Sequence, residues 1–144
     1  MRIFNRRAKR DFEVFEKVEA GIQLTGNEVK SVREGRIHLE EAFIRIKDGQ
    51  AWVYNATIHP YRFSKDNLEM GRPRKLLLHK SEILALEQKM KQKRLTLVPI
   101  VCYTKGRRIK LKIGLARGRK EFEKKQALKK KDISREVERE LKER

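Results

Sequence analysis

Arg108, Lys110 and Lys112 alternate with Ile109, Leu111 and Ile113 late in the chain. Successive side chains of a strand point to opposite faces, so this spacing puts three cations on one face and three apolar groups on the other. The chemistry open to such a row is electrostatic: ammonium and guanidinium groups set against the phosphates of a polyanion. Two further clusters share the character. Arg2, Arg6, Arg7, Lys9 and Arg10 have no acid among them, and Arg72, Arg74, Lys75, His79 and Lys80 bracket Leu76 to Leu78. Each cluster alone reads equally well as a solvated face that keeps a sheet edge from aggregating. Three without balancing acids favour nucleic acid, because solvated faces normally mix signs.

Residues for bond-breaking chemistry are not assembled in the same way. The chain has no glycine-rich phosphate loop and no nucleophile elbow. Cys102 is the single cysteine, and His38, His59 and His79 are too scattered for a zinc site. Glu40 and Glu41 are the best carboxylate pair for a metal-dependent nuclease, but neighbours on a strand point to opposite faces. Catalytic residues, metal ligands and cofactors are therefore not expected.

Composition sets the frame for these clusters. The 144 residues carry 38 Lys+Arg against 20 Asp+Glu, a formal charge of +18, with 38% hydrophobic and 40% charged residues. Such an excess calls for a polyanionic partner, either nucleic acid or an anionic membrane surface. The longest apolar stretch, Leu97 to Tyr103, contains a proline and is far short of the ~20 residues that span a bilayer. The basic N-terminus lacks a following apolar segment, so no signal peptide is expected. No broad apolar helix face adjoins the basic clusters, which weakens the membrane reading. A lone cysteine fits a reducing cytosol, and the expected location is cytoplasmic.

The charge also divides the chain. Residues 117–144 hold 12 basic and 7 acidic residues with few large apolar ones, which cannot make a core, so residues 1–116 keep the remaining +13. Within residues 1–116 the patterning predicts a strand over Asp11 to Val18 whose phase breaks at Phe15, and a short helix over Glu28 to Glu34 capped by Asn27. Asp48-Gly49 joins two strands, Ala42 to Lys47 and Gln50 to Ile58, as a hairpin, with Trp52, Tyr54, Ala56 and Ile58 on one face. Residues 59–73 read as a long loop, Arg74 to His79 as a strand, and Ser81 as the cap of a helix reaching about Lys93. Leu95 to Tyr103 and Arg107 to Leu115 complete the pattern across a turn at Lys105-Gly106. The expectation is a mainly β fold: a small antiparallel OB-like barrel of about six strands with two or three short helices over residues 1–116, and a basic tail over 117–144.

RNA is favoured over DNA, because no helix-turn-helix, zinc finger or zipper is visible. His59, Tyr61 and Phe63 beside basic residues suit stacking on unpaired bases or, equally, packing under their loop. In the tail Ile133, Val137 and Leu141 make one thin stripe, which suits a segment that is disordered alone and helical against a partner; the alternative is a solubilising tail.

Five motifs occur in order: Asn5-Arg-Arg-Ala8, Glu19-Ala-Gly-Ile22, Gly26-Asn-Glu-Val-Lys-Ser31, Arg74-Lys-Leu-Leu-Leu-His79 and Gly114-Leu-Ala-Arg-Gly-Arg-Lys120. Together they closely resemble the SsrA-binding protein (small protein B, SmpB) family. That resemblance implies an RNA-binding adaptor of trans-translation, not an enzyme, which binds the tRNA-like domain of transfer-messenger RNA (tmRNA). It further implies delivery of that RNA, with elongation factor Tu and GTP, to stalled bacterial ribosomes by a monomer, the tail becoming helical in the empty messenger channel beside small-subunit RNA. Carried over by motif, RNA binding falls to Asn5, Arg6, Arg7, Lys9, Arg10, Glu19, Arg74, Lys75, Leu77 and His79. Ribosome binding falls to Arg119, Lys120, Phe122, Glu123, Lys124 and Lys125, where Glu123-Lys124-Lys125 replaces the family's usual Asp-Lys-Arg and Phe122 stands at a common His or Tyr.

Overall fold

The computed structural model describes residues 1–65, 68–120 and 124–126. The chain begins with a short strand, β1 (Arg2–Phe4), and a helical turn, α1 (Arg6–Asp11), where the sequence marks only a basic cluster ahead of the first long strand. The long strand β2 (Phe12–Ile22) and helix α2 (Gly26–Arg33) follow. Next come β3 (Ile37–His38), β4 (Phe43–Lys47), β5 (Gln50–Tyr54), β6 (Thr57–Ile58) and β7 (Arg74–Leu77). Helix α3 (Lys80–Lys93) leads to the closing pair β8 (Thr96–Lys105) and β9 (Arg108–Gly118).

Six strands form the ring, in the order β8-β4-β5-β7-β2-β9, with β9 returning to β8. Closure removes the unpaired edges that an open sheet of this size would expose. The expected six strands are those of the ring. Three short strands are added to it: β1 on the free part of β8, through Ile3↔Cys102 and its neighbours, and the separate pair β3 and β6. Every described strand pairing is antiparallel.

Inside the ring, Ala20, Ile44, Ala51, Val53, Leu76, Leu97, Cys102, Leu111, Ile113 and Leu115 are buried, joined by Val32 of α2 and Leu86 of α3. Burial pushes the Cys102 thiol up to about 12, so it packs as an apolar group. A second, smaller core lies on the outside of the ring. There Ala8 of α1 packs with Val98 and Ala116, flanked by Phe12, Val14 and Ile100. Gly114 makes room for it, since a Cβ at that position would sit 2.9 Å from Val14 Cγ1 and 3.1 Å from Ile100 Cδ1.

Several local signals resolve differently from the sequence reading. The phase break at Phe15 is a register shift between Val14 and Glu16, beyond which β2 runs on to Ile22 and gains β7 as a second partner. The cap of α2 is Thr25, not Asn27, in a reciprocal arrangement with Glu28, and α3 starts from His79 rather than Ser81. Trp52 and Tyr54 do not share a face with Ala56 and Ile58. Asn55 adopts φ 58°, which turns the chain so that the first pair faces out and the second is buried. In the hairpin turn both Asp48 (φ 53°) and Gly49 (φ 74°) are left-handed, the conformation that matches strand twist in a two-residue loop.

Candidate nucleic-acid interface

The alternation of β2, β7 and β9 sets the outer surface of one side of the barrel. Glu19 lies opposite Lys112, and Gly21 lies between Lys110 and Leu77. Their sequence neighbours Ala20, Leu76 and Leu111 are buried, so Glu19, Lys75, Leu77, Lys110 and Lys112 face outward together. Leu77 is 53% exposed although it is a strand leucine. It lies across Gly21, whose missing side chain would have come within 3.1 Å of Leu77 Cβ. Leu77 also lines an open groove of about 560 Å³ with Lys75, Leu78, His79 and Lys80, bounded on its far side by the hairpin tip Asp48 to Gln50. His79, exposed at the start of α3, is held there through its backbone N–H, which donates to Glu82 Oε1 at 3.0 Å.

Glu19 is tied into this surface by its neighbours. Its carboxylate accepts a hydrogen bond from the Tyr103 hydroxyl and another from Lys105 Nζ at 3.2 Å. The Tyr103 bond, with the Lys105 bond next, holds the Glu19 carboxyl below the usual range. Burial and the same Glu19 bond push the Tyr103 phenol up to about 12. Lys112 Nζ stands 5.8 Å from the Tyr103 ring centroid, and Arg2 is the register partner of Tyr103 on β1. A carboxylate on a phosphate-binding face should repel its ligand; here it is partnered, and it orients a phenol and a lysine among Arg2, Lys110 and Lys112.

The remaining expected residues separate from this cluster. Arg6, Arg7, Lys9 and Arg10 are exposed on α1, at the Phe12 end of β2, seven residues or about 23 Å of strand from Glu19. Arg7 pairs with Asp11 at 3.1 Å and Glu41 at 3.3 Å, and Arg10 with Asp11 at 2.9 Å. Two of the expected contacts are interior. Asn5, 6% exposed, caps α1 by accepting from the Ala8 N–H at 3.1 Å and donates from Nδ2 to the Pro99 carbonyl at 2.8 Å. Arg74 is 1% exposed because it shares the inward parity of Leu76. Its guanidinium donates to Glu28 Oε2 at 2.7 Å and to the carbonyls of Ala56, Met70 and Arg72. Burial raises the Glu28 pKa, but bonds from Arg72, the Thr25 N–H and Arg74 outweigh it and hold the carboxyl below its usual range. Asn5 and Arg74 are therefore buried in the framework beneath the surface; Lys75, one residue on, faces out.

Strand β9 continues through Gly118, two residues past the expected boundary, with Arg117 paired to Glu13 at 2.6 Å. The Arg119 N–H donates to the Asp11 carbonyl at 2.7 Å and its Nε to the Phe12 carbonyl at 3.1 Å. Lys124 Nζ lies 4.0 Å from Asp11 Oδ1, while Lys120 and Lys125 are exposed. Phe122 and Glu123, and the stripe Ile133, Val137 and Leu141, lie outside the described residues. The loop rings divide: Tyr61 is half-buried under Lys30, 5.3 Å from its Nζ, whereas Phe63 is 80% exposed. Tyr103 joins Glu19 on this surface without being among the expected residues, although its i,i+2 spacing to Lys105 puts both on one strand face. Among the described residues no group of three or more His, Cys, Asp or Glu could hold a metal ion, and no helix is long and apolar enough to cross a membrane.

A closed OB-like ring with a basic outer face and a partnered carboxylate within it is the architecture of a small polyanion-binding module. Comparison with known proteins narrows that class. The family model described as SmpB protein matches residues 2–143, and the chain belongs to that family. It is 49% identical over 139 residues to the SsrA-binding protein of Sulfurihydrogenibium sp. (strain YO3AOP1), covering 96% of this chain and 91% of the relative. To the SsrA-binding protein of Carboxydothermus hydrogenoformans it is 48% identical over 138 residues, covering 95% and 93%. Among solved structures it is similar, with TM-score 0.69 and 46% identity over 83% of this chain and 85% of the other, to a chain from "tmRNA-SmpB: a journey to the center of the bacterial ribosome".

Proposed function

We propose that this protein is the RNA-binding adaptor of trans-translation in its cell: it binds the tRNA-like domain of tmRNA and brings that RNA to stalled bacterial ribosomes. The observation that carries the reading is the outward cluster of Glu19, Lys75, Leu77 and His79 on the β2–β7 side of a chain with family-wide similarity to SsrA-binding proteins. The surface joins cations for phosphate, an exposed leucine and imidazole for a ribose or base, and a Tyr103 hydroxyl aimed by Glu19. The chain acts as a monomer in the cytoplasm, without catalysis of its own, and meets elongation factor Tu with GTP through the RNA. Arg6, Lys9 and Arg10 on α1 add a second set of cations to the RNA contact.

Residues 121–144 form the second functional part, which engages small-subunit RNA in the messenger channel together with Arg119 and Lys120. Clamping of Arg119 to Asp11 and Phe12 supports this by fixing where that segment leaves the barrel. Deleting residues 121–144 tests the division. The truncated chain should keep its affinity for the tRNA-like domain and lose peptide tagging on stalled ribosomes; a large loss of affinity contradicts the division.

A further inference from the structure

The outer faces of β4 and β5 carry an aromatic rank beside the groove. Phe43, Arg45 and Lys47 face out from β4 opposite Tyr54, Trp52 and Gln50 of β5. The Phe43 and Tyr54 rings are nearly parallel, 9° apart with centroids at 5.1 Å, and Arg45 Cζ stands 5.3 Å from the Phe43 centroid. Hydrophobic burial alone would place such rings at the inward positions, which Ile44, Ala51 and Val53 hold. A cross-strand aromatic pair steadies the hairpin, but that accounts for Phe43 and Tyr54 and leaves Trp52 half-buried on the outer face without a ring partner in that pair. An open depression of about 460 Å³ lies alongside, lined by Lys47, Asp48, Gln50, Trp52, Tyr54 and Pro73. It shares Asp48 and Gln50 with the groove of Lys75, Leu77 and His79, so the two meet at the hairpin tip.

The geometry points to a stacking site for unpaired RNA nucleotides on this face, with Trp52 and Tyr54 meeting the bases and Arg45, Lys47 and Lys75 the phosphates. Lys75 is the register partner of Trp52, so the aromatic rank has cations on both flanks, against the single carboxylate of Asp48 in the depression. Flat rings bordered by cations on an OB-like barrel hold single strands with little sequence preference. An acidic peptide would use the cations and leave the flat rings idle, which is why RNA is the better fit. This site is additional to the proposed grip on a folded RNA, and its test uses an RNA without folded structure.

Trp52 is the single tryptophan of the chain, so its emission reports on this face alone. The full-length protein is titrated with a uridine decamer, following Trp52 emission and the anisotropy of an end label. Saturable quenching in step with anisotropy is expected. Tyr54→Ala should weaken it about tenfold, the size of one lost base stack. Lys47→Glu, at an exposed position remote from the core, should lower the slope of log affinity against log salt by about one and decides the matter if Tyr54→Ala unfolds. Lys91→Ala, at an exposed position of α3 outside both the depression and the groove, should leave the quenching unchanged. Binding without a change in Trp52 emission, quenching that survives Lys47→Glu with an unaltered salt slope, or equal quenching by hexaglutamate overturns the proposal; the last would make the face a protein-docking surface.

Discussion

Arg74 and Lys75 are adjacent cations with opposite fates, and replacing each in turn gives the sharpest prediction. Removing the Arg74 side chain, as in Arg74→Met, strips the Glu28 carboxylate of its contact at 2.6 Å and leaves the Ala56 and Met70 carbonyls without their buried donor. Glu28 is itself only 8% exposed, so its charge stays in a poorly solvated site with Arg72 as its remaining cationic partner. Breaking a buried pair from one side costs about 3–5 kcal/mol. With an unfolding entropy of about 2.1 cal/mol/K per residue over roughly 120 packed residues, that lowers Tm by about 12–20 °C. Lys75→Ala should shift Tm by less than about 2 °C, since a surface change costs within about 0.5 kcal/mol. Calorimetry reads the stabilities, and titration with the tRNA-like domain at a temperature where both variants are folded reads the affinities. Arg74→Met should bind like the parent while Lys75→Ala binds more weakly with a shallower salt dependence. An Arg74→Met chain of unchanged Tm that has lost its affinity would instead place Arg74 in direct contact with the RNA.

The other expectations follow from the same surface and core. Glu19→Ala and Tyr103→Phe should each weaken binding of the tRNA-like domain, and the double variant should be no worse than the poorer single one, because both remove the same hydrogen bond; additive losses would show independent contacts. Glu28 has a lowered native pKa, so its contribution to stability is full above the unfolded value of about 4.3 and is lost as pH falls below that value through the native one. Glu28→Gln should therefore flatten the acid limb of the Tm profile below about pH 4.3 while lowering Tm at neutral pH. Gly114→Ala should cost about 1–3 kcal/mol in urea unfolding, because its Cβ would meet Val14 Cγ1 at 2.9 Å in the outer core under α1.

Much of the barrel was legible because its signals are local. The Asp48-Gly49 hairpin, the alternation of Arg108 to Ile113 and the irregularity at Phe15 all translate directly into strand geometry. What escaped depends on distant partners. Arg2–Phe4 is too short to show a period and becomes a strand only on the edge of β8, nearly a hundred residues away. In Leu76 to Leu78 three apolar residues leave the parity undecided, so nothing in the sequence alone turned Leu76 and Arg74 inward and Leu77 and Lys75 outward; β5 and β2 decide it. The capping box Thr25 to Glu28 was readable from its spacing, yet Glu28's second task, neutralising Arg74, required the fold. Asn5 likewise reads as part of a basic motif until its side chain is seen to join α1 to Pro99. The family motifs thus mix residues that face out with residues that hold the surface in place.

The outward cluster of Glu19, Lys75, Leu77 and His79 is proposed to recognise one folded RNA rather than polyanions in general. A competition titration tests it most directly: labelled tRNA-like domain of tmRNA bound to the full-length protein, displaced by the same unlabelled domain or by random-sequence RNA of equal length at physiological salt. The domain should displace the label at concentrations at least tenfold lower than random RNA, on the order of 1.4 kcal/mol of preference, and Leu77→Ala should erase most of that gap. Equal displacement by both RNAs would contradict it and leave only a barrel that binds by charge.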